Sequence, residues 1–148
     1  MTSTSDLVVR RHSTASGAFE TVIDPRQRSD WQYTGLHVLA LDAGASESFE
    51  ADGVEAMVVP LNGSFTVQAG GNTYELRGRA DVFEGPADVL YAPVGTPLVI
   101  SSADGGRAAI TTAPVDPSAS AGHPVQLIKK EDIPVEVRGA GNMTRQVR

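Results

Sequence analysis

The side chains able to do acid–base, metal or nucleophilic chemistry are few in this sequence, and their spacing suits none of the usual sites. Its three histidines, His12, His37 and His123, lie far apart, and none has another His or a carboxylate at ligand spacing. Neither HxH nor HExxH occurs, and no run of Asp residues resembles a calcium loop. Cys is absent, which removes disulfides, thiolate nucleophiles, Fe–S clusters and Cys-type zinc sites together. The stretch Gly44-Ala45-Ser46-Glu47-Ser48 lacks the closing glycine of a GxSxG elbow. Gly70-Gly71 and Gly105-Gly106 precede neither Lys-Ser/Thr nor a helix, so a phosphate cradle is unsupported. Arg77-Gly78-Arg79 could hold an anion, although two arginines beside a turn ordinarily serve solubility. His37 reads as a packed or rim histidine inside a strand, and His12 and His123 read as solvated.

Composition narrows the partners. Twelve basic against eighteen acidic side chains give a net charge of −6. Such a surface repels phosphate backbones and anionic lipid, so neither nucleic acid nor a membrane is an expected partner. Hydrophobic residues make up 41% of the 148 and charged residues 20%, the balance of an ordinary globular chain rather than a disordered one. The N-terminus lacks the apolar run of a signal peptide, and no apolar stretch is long enough to span a bilayer. A cytoplasmic protein is the expectation.

The elements that must position any site have period two. In Gly35–Asp42, Leu36, Val38 and Ala40 alternate with His37, Leu39 and Leu41, which predicts a strand covered on both sides. Val54–Leu61 and Ser64–Ala69 read as two strands. Asn72–Arg77 reads as a third, joined to the second by a hairpin at Gly70-Gly71, where two glycines supply the positive φ of a primed turn. Further strands are expected at Ala80–Phe83, Val89–Ala92, Leu98–Ser102 and Arg107–Thr112, with weak signals at Leu7–Arg10 and Ala18–Ile23. With 15 Gly and 9 Pro punctuating them, the pattern is that of an all-β sandwich or barrel. The expected domain is residues 1–112; residues 113–148 read as a Pro/Ser/Ala/Gly linker and a tail too polar for a core of its own.

Two segments carry a more specific pattern. Asp88–Leu98 contains a strand ending in Pro93-Val94-Gly95, and Gly44–Gly63 has the outline of a Gly, a gap, a Glu and a second turn Gly. Both resemble the cupin motifs. In those motifs a His three residues after the Pro-x-Gly is a metal ligand, and here that position is Leu98. An HxH pair is replaced by Glu50-Ala51-Asp52, and Glu55 lies near the motif glutamate but one residue early. The turn residues persist and the imidazoles do not.

The segments Trp31–Leu36, Val58–Gly63, Leu76–Phe83, Gly85–Tyr91, Leu127–Asp132, Glu136–Gly139 and Arg145–Val147, in that order, resemble the N-terminal half of the 5-deoxy-glucuronate isomerase (IolB) family. The resemblance implies a cupin-type β-barrel (double-stranded β-helix, or jelly roll), degenerate here because the metal-ligand histidines are missing. It also implies a second cupin barrel outside this sequence, either because this is a piece of a longer protein or because only the first half is encoded. The implied activity is the aldose–ketose isomerisation of 5-deoxy-glucuronate to 5-dehydro-2-deoxy-gluconate in myo-inositol catabolism. The family's divalent metal belongs to the second barrel, so no cofactor is expected in this chain. No catalytic, substrate-binding or metal residue can be assigned here. A small sugar acid is the expected partner through the full-length enzyme, and homo-oligomerisation stays open. Arg138 and Arg145 are the arginines nearest the second half, read as surface charges unless a substrate carboxylate reaches them. Two alternatives remain. One is a stand-alone, metal-free binding module with its mouth near Glu50, Glu55, Tyr91 and Leu98. The other is a related uronate ketol-isomerase of the same bicupin superfamily.

Overall fold

A computed structural model describes residues 8–27, 31–120 and 122–147. Its longest element is built from the two segments read above as separate strands. They form one continuous strand, Val54–Ala69, bent in the middle at Pro60–Gly63. In chain order the strands are β1 (Phe19–Ile23), β2 (Gly35–Leu41), β3 (Ser46–Glu50), β4 (Val54–Ala69), β5 (Asn72–Arg79), β6 (Val89–Ala92), β7 (Pro97–Ser101), β8 (Gly106–Pro114), β9 (Gln126–Ile128), β10 (Glu136–Arg138) and β11 (Arg145–Val147). Helical structure among the described residues is confined to three short 3-10 turns. No helix among them is long and apolar enough to cross a membrane.

The bend lets β4 serve two sheets. Its first half pairs with β8 and β6 in the order β1-β2-β8-β4-β6-β9, and its second half pairs with β5 and β7, with β3 beyond β7. All of these pairs are antiparallel. Side chains from both sheets form one core that includes Leu39, Val58, Phe65, Val67, Leu76, Leu90, Leu98, Ile100 and Ile110. This is the cupin-type all-β architecture that the motifs imply.

The corner itself is a site of close backbone contact. Pairing slips by one residue at Leu61 on the β8 side and at Ser64 on the β5 side, the bulges that let a strand turn. Gly63 has φ +80°, and its carbonyl oxygen faces Gly78 so closely that a Cβ on Gly78 would overlap it outright. Glycine is therefore required at Gly78 by space alone, and at Gly63 by conformation as well. The buried Ser102 hydroxyl lies between the Ser64 and Gly105 carbonyl oxygens, at 2.8 and 2.9 Å, and ties β7 to the same corner.

Elsewhere the expectations divide. The hairpin at Gly70-Gly71 forms with φ of +56° and +79°, as a primed turn requires. Ala80–Phe83, expected as a strand, is instead a turn in which the Asp81 carboxylate accepts a hydrogen bond from the Phe83 N–H at 2.7 Å. Val8–Arg10 forms no strand, and Leu7 lies outside the described residues. β3 was not foreseen; its Ser-Glu-Ser-Phe-Glu sequence buries only Phe49. After β8, β9 lies along β6, while β10 and β11 form a separate hairpin whose six residues are all exposed.

Replacing Gly78 by Ala forces the corner apart. Gly78→Ala should lose about 3 kcal/mol of stability or more in urea unfolding. A loss within about 0.5 kcal/mol would show that the corner opens freely.

Candidate functional site

Alternation decides what faces the space between the sheets. Leu39 and Leu41, Ala56 and Val58, Phe65 and Val67, Leu90 and Ala92, Leu98 and Ile100, and Ala108 and Ile110 all point there and are buried. Leu98, at the motif's ligand position, is fully buried among them. An alkyl side chain there offers no lone pair, and its neighbours close the lumen by packing. The residues at the motif positions do not fit a metal ion. In Glu50-Ala51-Asp52 it is Ala51 that turns into the core, at 1% exposure, which leaves both carboxylates exposed. No group of three or more His, Asp or Glu side chains that could hold a metal occurs among the described residues.

The mouth drawn from the sequence does not assemble. Glu55 sits between Val54 and Ala56, both in the core, so it stands on the outer face of its sheet. There it accepts a hydrogen bond of 2.7 Å from the Tyr91 hydroxyl, itself on the outer face between Leu90 and Ala92. Burial, with the Glu55 hydrogen bond and charge added, pushes the Tyr91 hydroxyl up to about 12. Glu50 is on β3 and Leu98 is inside. The four residues therefore line no common cavity.

The opening lies elsewhere, at the end of the lumen where β1, β2 and β3 meet. His37 shares its face with Leu39 and Leu41 and packs edge-on against Phe49 and Phe19, with ring centroids 5.0 and 5.8 Å away. Its Nδ1 is buried without a hydrogen-bond partner. Burial lowers its pKa, against a smaller opposing effect of Asp24. The imidazole is thus held neutral, with no carboxylate bonded to it to act as a relay. It lines a cleft of about 270 Å³ together with Asp24, Arg26, Phe49, Glu50 and Thr112. The charge of Arg26 is already committed. Its Nε donates to Asp24 at 3.0 Å and its Nη1 to the Asp52 carbonyl at 2.8 Å, and the Arg26 hydrogen bond holds Asp24 below the usual carboxylate range. His12, in a left-handed turn, and His123 are exposed. Arg138 pairs with Glu136 on the exposed hairpin, opposite Arg145.

The strongest electrostatic cluster was invisible in the sequence. Arg77 is not a free solubilising charge. Its N–H and Nε both donate to Asp88 Oδ2 at 2.9 Å, while Asp88 Oδ1 accepts from the Lys130 N–H at 2.8 Å. The same guanidinium donates to Glu131 at 2.8 Å. Asp88 is only 2% exposed. Burial raises its pKa, but the hydrogen bonds from Arg77 and Lys130 outweigh burial and leave it below the ordinary value. The cluster joins β5, the approach to β6 and the turn after β9, and ties the three together.

The fold is cupin-type, with an apolar, filled lumen. The chain belongs to the KduI/IolB family, whose model matches residues 7–148. It is 29% identical over 145 residues to a 5-deoxy-glucuronate isomerase of Geobacillus kaustophilus, covering 97% of this chain and 51% of the relative. A 5-deoxy-glucuronate isomerase of Listeria monocytogenes is 31% identical over 75% of this chain and 40% of its own length. The crystal structure of an IolB-like protein from Salmonella typhimurium superposes with a TM-score of 0.77 at 29% identity, over 90% of this chain and 49% of that one. The chain spans about half the length of the curated relatives it matches.

Two measurements check this electrostatic account. In a proton NMR titration the His37 ring should titrate below the ordinary value near 6.5. Its folded pKa is depressed, so its contribution to stability is full above the unfolded value and is lost as pH falls through the folded one. Asp88→Asn should cost about 2–4 kcal/mol near pH 7, because a buried partner of Arg77 is neutralised. The Asp88 pKa is also depressed, so the wild-type advantage should shrink as pH falls below about 4. An advantage that is constant across that range would contradict the tie.

Proposed function

We propose that this chain supplies one barrel of an aldose–ketose isomerase acting on a uronate such as 5-deoxy-glucuronate, and that the remainder of the enzyme carries the proton transfers. The observation that supports this most is the filled lumen: Leu98 and its neighbours occupy the place where the fold's motifs put a ligand set. Family membership and the 5-deoxy-glucuronate isomerase relatives supply the reaction class.

Moving a carbonyl by one carbon needs a base to take the neighbouring proton, a group to return it, and a donor or cation to stabilise the enediolate oxygens. This chain offers one neutral imidazole at the cleft, no relay carboxylate bonded to it, and an arginine already paired. Its contribution is accordingly a rigid scaffold for the part of the enzyme that holds the divalent metal. As an enzyme of sugar-acid catabolism it would work in the cytoplasm.

The isolated 148-residue chain, purified free of host isomerase, should give no turnover of 5-deoxy-glucuronate above the uncatalysed rate. Turnover that disappears in His37→Gln would overturn this reading and make the cleft an active site.

A further inference from the structure

The outer faces of the two sheets differ. On the β5 side the second half of β4 presents Thr66 and Gln68, and the Thr66 hydroxyl donates to Glu75 at 2.9 Å. That stretch of β4 is polar. On the β6 side, the turn after β5 and the chain after β9 enclose a groove of about 490 Å³ lined by Val59, Val82, Pro86, Val89 and Ile133, with Arg79 beside them. Phe83, next in the chain to the lining Val82, is 94% exposed, and Val137 on the hairpin is 72% exposed. Gln146 lines the groove, and Val137 lies directly across the hairpin from it on the same face.

Three features make this a surface built to be covered. Contiguous exposed apolar side chains at this density mark interaction sites on soluble domains. A two-stranded ribbon is at best marginal alone in water, and β10–β11 exposes all six of its residues. Arg79 donates to the Gly85 carbonyl, yet its Nε is buried without a partner, so a carboxylate entering the groove would complete it.

We infer that this groove and the exposed face of the β10–β11 hairpin form the seat of the other half of the family polypeptide. The length of the relatives argues for that occupant. The Geobacillus relative is matched over only 51% of its length, and the Salmonella structure over 49%, so each carries about as much chain again that must pack somewhere. The groove is an apolar, incompletely satisfied surface available to it. The inference rests on the reading of this chain as one half of a larger enzyme.

The absence of cysteine gives a direct test. Phe83→Cys and Val137→Cys each place a lone thiol at the groove, and Val99→Cys places one on the outer face of β7 as a control. Each is labelled with Ellman's reagent in the 148-residue chain and in the same chain continued by a cysteine-free version of the second half of the Geobacillus kaustophilus enzyme. Labelling at positions 83 and 137 should slow about tenfold or more in the longer chain, with position 99 unchanged. If the joined chain precipitates, the second half is added as a separate polypeptide and the same rates are read. Equal rates at positions 83 and 137 in both forms would overturn the inference, as would equal slowing at all three positions. Concentration-dependent protection of position 83 in the isolated chain would also overturn it, since a second copy would then be the occupant. Isomerase activity of the joined chain reads the functional proposal separately: protection without turnover keeps the surface and removes that proposal, and turnover without protection does the reverse.

Discussion

The contact between the Gly63 carbonyl and the bare Cα of Gly78 is the constraint on which this fold depends. It allows a single strand, Val54–Ala69, to bend sharply enough to belong to both sheets. With the bend in place, alternate residues of β4 before and after the corner point into the same space. Val58 and Phe65 can then share one core with Leu39, Leu90, Ile100 and Ile110. A side chain on Gly78 would push β5 away from β4, and one on Gly63 would run into the Gly105 carbonyl before β8.

The chemistry of the chain follows from what fills that space. A cupin-type lumen becomes a reaction vessel when inward positions carry imidazoles and carboxylates. Here the inward positions are alkyl or aromatic apart from His37 at the cleft, and the carboxylates at the motif positions stand one residue off the inward face. Glu50 and Asp52 flank an inward Ala51, and Glu55 flanks an inward Ala56. A shift of one residue in a period-two element exchanges inside for outside. The scaffold is therefore kept by turn glycines and prolines while the ligand set is absent, and fold alone does not carry function.

Much of the architecture was legible because the signals were local. Gly70-Gly71 between two alternating segments announces its hairpin, and His37 shares a parity with Leu39 and Leu41 that places it inside. Other features depend on distant residues. Pro60 and Asn62-Gly63 look like strand breakers, yet they bend β4 without ending it, because the partners that hold it are β8 and β5. β3 is nearly all polar, and only its pairing with β7 makes it a strand. Asp88 sits between Ala87 and Val89 with nothing nearby in sequence to mark it. Its partners, Arg77 on β5 and Lys130 just after β9, lie 11 and 42 residues away in the chain. The grouping of Glu50, Glu55, Tyr91 and Leu98 failed for a reason that was available: Val54 and Ala56 on either side of Glu55 already fix it outward.

The KduI/IolB family match and the filled lumen support the proposal of a half with a structural role, its reactivity lodged in the rest of the polypeptide. The most direct test is diffraction from crystals of this chain grown in millimolar Mn²⁺, with anomalous data collected at the manganese edge. The account predicts no anomalous peak inside the lumen and Leu98 packed against Ile100 and Leu90. A well-occupied manganese ion coordinated by Glu50, Asp52, Glu55 or His37 would contradict it.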